Sequence, residues 1–176
     1  MVHGRFQPFH NGHLEYVLEA AGRCRMLLIG ITNPDASVVP EERSSPHRHL
    51  ASANPFTFQE RSLMVTAALA SARVAPERYG IISFPIHDPS RWVEVAPRDT
   101  TQFIRVFSAW EEEKAARLRA AGYRVVELPV ADKAVSGTEV RRRLAEHGDW
   151  RSLVPASVAE LLVAAQINPI AQTPRR

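Results

Sequence analysis

The feature that most constrains the fold of this chain is a regular alternation of short apolar runs with amphipathic helical segments. The run at residues 26–32 contains only apolar residues, glycine and one threonine, which is typical of a parallel strand covered on both faces. Further strand-like runs occur at 80–86, 103–107 and 124–128, with helical patterns between them. This alternation predicts an α/β fold, a doubly wound (Rossmann-like) parallel sheet with helices on both faces, in a single domain.

We assign residues 1–167 to this domain and expect a flexible tail over 168–176, which contains two prolines and a terminal arginine pair. Only three residues precede Gly4, so we expect either a clipped first strand or a start upstream of Met1. Residues 33–53 contain three prolines and mixed charge. A loop of that length is either functional, for example a lid over a site, or an irregular surface segment.

The stretch from Gly4 to His13 is the most informative about chemistry. It reads GRFQPFHNGH and leads into an apolar helical pattern. His10 and His13 are three residues apart, so both fall on one face of the first turn of that helix. Backbone N–H groups at a helix start lack intrahelical partners, and the helix dipole favours anions there. The stretch therefore predicts a phosphate-binding site.

A second helix start with similar chemistry lies near the C-terminus. Residues 136–139 read Ser-Gly-Thr-Glu, a capping-box pattern, and Arg141 follows within the same turn. Alone, this pattern indicates a capped helix with arginines on its solvated face, which is our interpretation of Arg142 and Arg143. Beside the first stretch it predicts a second anion site. Two separated anion sites suit a triphosphate better than a single phosphate.

Composition narrows the class of partner and compartment. The net charge is +3, and the sequence contains no run of Arg and Lys interleaved with aromatic residues, so we expect an anionic small molecule and no nucleic acid. Cys24 is the only cysteine, which excludes an internal disulfide and fits a reducing compartment. No apolar run reaches the roughly 18 residues of a membrane span. We expect a cytoplasmic protein with no membrane partner.

Both helix starts resemble those of the HxGH-containing nucleotidylyltransferases. GRFQPFHNGH is similar to their first motif, and SGTEVR at 136–141 is similar to their second, Ser-x-Thr-x-x-Arg. Between the two, NPFTFQER at 54–61 resembles the NPFTxxER of archaeal-type nicotinamide mononucleotide (NMN) adenylyltransferases. The resemblance extends from about residue 4 to about residue 163.

The resemblance implies a role for each matching residue. The implied catalytic residues are His10, His13 and Arg141, of which His13 stabilises the transition state. The implied nucleotide-binding residues are Gly4, Arg5, Phe6, Gly12, Ser136, Gly137 and Thr138. The acceptor-binding candidates are Thr32, Asn33, Arg48 and Trp92. The family stacks nicotinamide on a tryptophan in a segment that matches Trp92, although a core position is the alternative for this side chain. The family also commonly assembles into homo-oligomers.

The reaction implied is attack by the acceptor's own phosphate on the α-phosphate of a nucleoside triphosphate, with release of pyrophosphate. It needs no nucleophilic side chain. Positioning and charge neutralisation dominate, and Mg²⁺ is the usual cofactor. We assign no residue as a metal ligand.

Three segments depart from the archaeal-type pattern. Thr32-Asn33-Pro34 stands where Gly-Ser is common, and Ser108-Ala109-Trp110 stands where the family has Ser-Gly-Asn. Ala53 occupies the place of a phosphate-binding arginine, which Arg43 or Arg48 could replace. The departures fall on the parts that choose the acceptor and the nucleobase, whereas the parts that hold the triphosphate are intact.

Three functional interpretations therefore stay open. The first, which the sequence favours, is an NMN adenylyltransferase, which makes NAD from ATP and NMN. The second is a cytidylyltransferase that uses CTP and a small phosphate or phosphonate acceptor. The third is a nucleotide-binding protein without turnover, against which the intact His10, His13 and Arg141 argue.

Overall fold

The computed structural model describes residues 1–33, 50–129 and 135–164. Within these ranges, short strands alternate with helices. The strands are β1 (Val2–Gly4), β2 (Leu27–Thr32), β3 (Tyr79–Phe84), β4 (Gln102–Ile104) and β5 (Val125–Glu127). The α-helices are α1 (Asn11–Ala21), α2 (Phe58–Ser71), α3 (Trp92–Val95), α4 (Ala109–Ala120), α5 (Gly137–Ala145) and α6 (Ala156–Ala164).

The strands form one doubly wound parallel arrangement. β2 pairs in parallel with both β1 and β3, and β4 pairs in parallel with β5. The two groups meet where the Phe103 N–H donates to the Met1 carbonyl at 2.8 Å, so the spatial order is β3-β2-β1-β4-β5. The order reverses between β1 and β4, and ligands of doubly wound sheets bind beyond the strand ends at such a reversal. The α/β prediction is confirmed.

The first strand is short but central. Val2 and His3 lie opposite Ile29 and Gly30 of β2, and both side chains are buried. The strand also contacts β4 on its other edge, through the Met1 carbonyl. The short lead-in before Gly4 therefore still supplies a strand with neighbours on both sides.

Two apolar clusters cover the two faces of the sheet. β2 alternates between them: Leu27, Ile29 and Ile31 face the first cluster, and Leu28 packs against the second. The first cluster includes residues from α1, α2, α5 and α6. The second includes residues from α3 and α4. Helices thus lie on both faces, as the alternation of the sequence predicts.

The helix ends follow the local signals of the sequence. Thr57 Oγ1 accepts the Glu60 N–H at 3.2 Å, and the Glu60 carboxylate accepts the Thr57 N–H at 2.7 Å, so a complete capping box begins α2. α4 is followed by Gly122 at φ +85°, a left-handed angle that glycine adopts without strain.

Some predicted features fall outside the described residues. They are the greater part of the loop at 33–53, including Arg43 and Arg48, and the tail at 168–176. None of the helices in the described ranges combines the length and apolar character that crossing a membrane requires.

Two glycines of adjacent strands offer a matched test of how tightly the sheet is packed. A Cβ on Gly30 would lie 2.9 Å from the Phe84 Cβ and 3.2 Å from the His3 Cβ, whereas a Cβ on Gly80 would have its nearest neighbour, Leu28 Cδ2, at 3.5 Å. We expect Gly30→Ala to lower the free energy of unfolding by about 1–3 kcal/mol through overpacking. Gly80→Ala should change it by less than about 1 kcal/mol. Urea denaturation measures both, and equal effects would contradict this account of the packing.

Candidate active site

The turn between β1 and α1 is held in shape by two aromatic side chains. Phe6 has a left-handed φ of +52° and is 1% exposed, and its ring lies 5.4 Å from that of Phe9. A Cβ on Gly4 would come within 2.8 Å of the Phe6 ring, so only glycine fits there. Both residues were expected to bind nucleotide. The buried ring of Phe6 supports the turn, and nucleotide binding by Gly4 and Phe6 stays a prediction.

The two histidines lie at the start of α1. His10 is the N-cap residue, and His13 is the third helical residue. Their rings stack with centroids 3.5 Å apart at an interplanar angle of 20°. The His10 N–H donates to His13 Nδ1 at 3.3 Å. In a neutral His13 the proton then resides on Nε2, which makes that nitrogen a donor suited to a phosphate oxygen.

The second motif packs directly on the first. Arg141 Nη1 donates to the Gln7 carbonyl at 2.6 Å, and Arg141 Nη2 donates to Thr138 Oγ1 at 3.3 Å. A Cβ on Gly137 would lie 2.8 Å from the Gln7 carbonyl oxygen, so the glycine allows the start of α5 to approach the turn. Burial lowers the pKa of Arg141, although arginine remains a cation at neutral pH. The two anion-type motifs therefore form one continuous surface.

The capping of α5 differs from the prediction in one respect. Ser136 Oγ accepts the Glu139 N–H at 3.2 Å, as expected. The Glu139 carboxylate, however, accepts from Arg142 at 2.8 Å and from Arg143 at 2.7 Å, and these two partners lower its pKa to about 2. Arg142 and Arg143 thus form ion pairs with Glu139 on the outer face of the helix, as their interpretation as surface residues implies.

A buried arginine holds the ends of β1 and β2 together. Arg61 is 1% exposed, and its guanidinium donates to the carbonyls of Arg5 at 2.8 Å, Thr32 at 2.7 Å and Asn33 at 2.8 Å. Burial lowers its pKa to about 10, partly offset by the charge of Glu60. Arg61 is therefore a positioning residue that fixes the floor of the site.

Gln7 ties the turn to the NPFT segment. Its side-chain amide donates to the Phe56 carbonyl and accepts the Phe56 N–H, both at 2.9 Å. Nearby, Arg5 Nη1 donates to the Ala53 carbonyl at 3.4 Å. The side chains of Gln7 and Arg5 thus tie the turn to the backbone of residues 53–56.

A cleft of about 330 Å³, partly open to solvent, lies at the carboxyl ends of β1 and β2, where the strand order reverses. Its lining includes three residues implied by the resemblance, namely Arg5, Thr32 and Asn33. The remaining lining residues are His3, Gly4, Ile86, His87, Trp110 and Lys114. His87 Nε2 lies 3.0 Å from Asn33 Oδ1 across the cleft. The wall of the cleft therefore combines two cationic side chains with two imidazoles.

Trp92 belongs to the core. It is 1% exposed, its indole N–H donates to the Pro85 carbonyl at 2.8 Å, and its ring packs against Phe84 and Tyr123. A fully covered indole cannot stack on a ligand, so the structure corrects the acceptor-binding expectation for Trp92 in favour of the core alternative. Arg48, another of the acceptor-binding candidates, lies outside the described residues.

The arrangement can neutralise and orient a polyphosphate. It brings together His10, His13, Arg141 and the start of α5, with Gly12 facing the segment that leads into α5. No group of three or more His, Cys, Asp or Glu side chains suited to a metal occurs in the described part of the chain. The site therefore offers donors for anions and no carboxylate cage for a cation.

Sequence reasoning missed several residues of the cleft. His3, His87 and Lys114 carry no motif, and they meet only because β1 lies beside β4 in the sheet. The adjacency of β1 and β4 is a property of the sheet topology, and local sequence patterns do not encode it. The roles of Gln7 and Arg61 were signalled only by the motifs that contain them.

Comparisons with known proteins agree with this geometry. The pattern of the Cytidylyltransferase-like family matches residues 1–143. The chain is 47% identical over 169 residues to a phosphonoformate cytidylyltransferase of Streptomyces viridochromogenes, which covers 96% of this chain and 92% of the relative. It is 35% identical over 161 residues to a nicotinamide-nucleotide adenylyltransferase of Thermococcus kodakarensis, covering 90% of this chain and 79% of the relative.

Solved structures share the fold at low sequence identity. A nicotinic acid mononucleotide adenylyltransferase of Plasmodium falciparum aligns with a TM-score of 0.57 at 11% identity, covering 95% of this chain and 94% of that one. A bifunctional NMN adenylyltransferase/ADP ribose pyrophosphatase of Francisella tularensis aligns with a TM-score of 0.65 at 15% identity, and the match spans 93% of this chain and 48% of that one. From the joined HxGH and Ser-x-Thr-x-x-Arg motifs, and from these relatives, the chain is an enzyme of the cytidylyltransferase-like family of nucleotidylyltransferases.

Proposed function

We propose that this enzyme is a cytidylyltransferase that transfers CMP from CTP to a compact phosphonate or phosphate acid. The cleft beside the histidine turn carries the proposal. Arg5, Lys114 and the imidazoles of His3 and His87 line it, so an acceptor bound there would be surrounded by cationic and polar groups. The relative of S. viridochromogenes supports the same choice, since its name describes cytidylyl transfer to a small phosphonate.

The proposed chemistry is an in-line displacement at the α-phosphorus of CTP. An acceptor phosphonate oxygen forms a bond to that phosphorus, the bond to the bridging oxygen of the β-phosphate breaks, and pyrophosphate leaves. Charge builds up on the equatorial and leaving oxygens, so donors that already point at them lower the barrier. His10, His13 and Arg141 are the donors we assign to the triphosphate.

Mg²⁺ enters the proposal on the triphosphate. The described residues of the site are imidazole, guanidinium, hydroxyl and amide groups, whereas Mg²⁺ prefers oxygen ligands and keeps several waters. We therefore propose that the ion binds through phosphate oxygens and water. Its contribution when bound is neutralisation of the leaving pyrophosphate.

NMN adenylyl transfer is the second candidate, and the archaeal relatives at about 35% identity favour it. The buried position of Trp92 weighs against it, because no stacking surface for nicotinamide is available on that side chain. The residues that we assign to the triphosphate are compatible with either ATP or CTP.

A substrate panel distinguishes the candidates. Pyrophosphate release is measured with CTP or ATP, each with Mg²⁺, against phosphonoformate, methylphosphonate, inorganic phosphate and NMN. We expect turnover with CTP and a small phosphonate. Turnover confined to ATP and NMN would overturn the cytidylyl assignment, and nucleotide binding without release in any pair would support the inactive binding protein instead.

His13→Ala tests the role of the histidine turn. Removing a donor that acts on the developing charge should lower kcat/KM by about 10²–10³ for whichever pair is active. His147→Asn is the control, because His147 is exposed, lies beyond α5 and has a left-handed φ of +53° that asparagine tolerates. Thermal melting of both variants checks the fold. Wild-type rates in a folded His13→Ala protein would contradict the mechanism.

Gly137→Ala tests whether the two motifs must touch. The added Cβ would press on the Gln7 carbonyl and displace the start of α5, so we expect a higher KM for the triphosphate and about a 10- to 100-fold loss in kcat/KM. Gly148→Ala at the other end of α5 is the matched control, since its nearest neighbour would lie at 3.8 Å. Steady-state kinetics at varied CTP compare the two, and similar losses in both would argue against the contact.

A further inference from the structure

His3 is a buried histidine of β1. It is 3% exposed and lines the cleft. Neither ring nitrogen meets a hydrogen-bond partner among the described residues. Gln102 lies close enough to favour the protonated form of the ring, but the two side chains do not meet in hydrogen-bond geometry. Buried polar groups without partners are uncommon, and each one calls for an explanation.

The position of His3 in the sheet directs it toward the cleft. β1 places it opposite Gly30, and its ring lies 5.1 Å from that of Phe84 on β3. Lys114 of α4 lines the same cleft and is close enough to oppose protonation of the ring. The Met1 amino group acts in the same sense, and burial is the largest cause of the lowered pKa of His3. The neutral imidazole therefore offers one N–H donor beside the positive charge of Lys114.

An apolar side chain would serve this strand position better if packing were its only task. Valine suits a buried central strand and leaves no polar atom unsatisfied. His3 instead lines a cleft whose wall also includes Arg5. Such an uncompensated group is explained when a ligand supplies the missing partner.

We propose that His3 and Lys114 form a subsite for a second anionic group of the acceptor, a carboxylate, while the acceptor's phosphonate lies toward Arg5 and the histidine turn. The acceptor class is then a compact phosphonocarboxylic acid. The inference rests on the proposed function and specifies its substrate: His3 supplies a hydrogen bond and Lys114 supplies the charge. It also gives both residues a role in choosing the acceptor, separate from the residues that hold the triphosphate.

Binding measurements with two probes test the subsite without relying on turnover. Phosphonoformate carries a carboxylate, and methylphosphonate does not. We expect His3→Val and Lys114→Met each to raise the Kd for phosphonoformate by about 10- to 100-fold in titration calorimetry, the effect of losing one charge-assisted hydrogen bond. The Kd for methylphosphonate should change much less, so the ratio of the two constants falls.

Arg119→Met is the matched control. It removes a cation from the same helix, but Arg119 pairs with Glu127 at 2.6 Å and does not line the cleft. It should leave the ratio unchanged. A fall of the ratio in Arg119→Met equal to that in Lys114→Met would overturn the subsite, because it would show a general effect of charge.

Thermal stability and ligand affinity together distinguish a binding role of His3 from a purely structural one. We expect His3→Val to melt a few degrees higher than the wild type, because it removes an unsatisfied buried group, yet to lose phosphonoformate affinity. In wild-type protein labelled with ¹⁵N-histidine, the resonance that is missing from His3→Val should shift on addition of phosphonoformate and stay in place with methylphosphonate. An unmoved resonance at saturating phosphonoformate would overturn the proposal.

The two proposals fail separately. CTP turnover with phosphonates, together with an unchanged affinity ratio in both variants, would overturn the subsite and keep the cytidylyl function. Turnover confined to ATP and NMN, together with the expected shift of the His3 resonance by phosphonoformate, would overturn the function and keep the carboxylate subsite. No binding of phosphonoformate to the wild-type protein would overturn the subsite whatever nucleotide is used.

Discussion

The site depends on one buried guanidinium. Arg61 donates to backbone carbonyls at the ends of β1 and β2, and it holds them at a fixed separation where the sheet opens toward ligand. The guanidinium thus supplies hydrogen-bond donors to carbonyls at the point where the two strands end. The charge of Arg61 is itself stabilised by these dipoles, by the Thr57 carbonyl and by Glu60. Such mutual dependence makes loss of either side costly, about 3–5 kcal/mol for a broken buried charge interaction.

The pKa of Arg61 shows how the burial acts. Burial lowers it to about 10, well above neutral pH, so the guanidinium is charged in both the folded and unfolded protein near pH 7. Desolvation is then a constant cost in the neutral range. A base with a lowered folded pKa binds fewer protons in the folded state only above about pH 10, so this group adds no pH dependence to stability under ordinary conditions.

The sequence predicts the part of the site that depends on local chemistry. His10 and His13 lie at a helix start because a Gly/Pro-rich turn precedes an apolar helical pattern, and Ser136 caps α5 for the same kind of local reason. The sequence also predicts that the two starts converge, because strand ends of a parallel sheet share one edge. Trp92 was harder to place. Aromatic residues in a polar segment suit a core or a ligand equally well, and only the neighbours Phe84 and Tyr123 decide between them.

The acceptor side of the cleft could not be read from the sequence because its residues come from unrelated local contexts. His3 belongs to a buried strand, Lys114 to a charged helix and His87 to a loop, and each looks ordinary within its own element. Their meeting follows from the β1–β4 adjacency, which depends on long-range backbone pairing between Met1 and Phe103.

The different origins of the motif residues and of the cleft residues have a physical consequence for specificity. The proposed triphosphate half consists of backbone and helix-start geometry, where a change at Gly137 or Gln7 disturbs the turn itself. The proposed acceptor half consists of side chains that project from separate elements, so substitutions there would alter charge and shape without moving the turn. Relatives that match at least 90% of this chain carry different acceptor names, namely phosphonoformate and nicotinamide nucleotide. In the proposed subsite, a ligand that cannot accept from His3 would leave that donor unsatisfied, and discrimination between acceptors would follow from that cost.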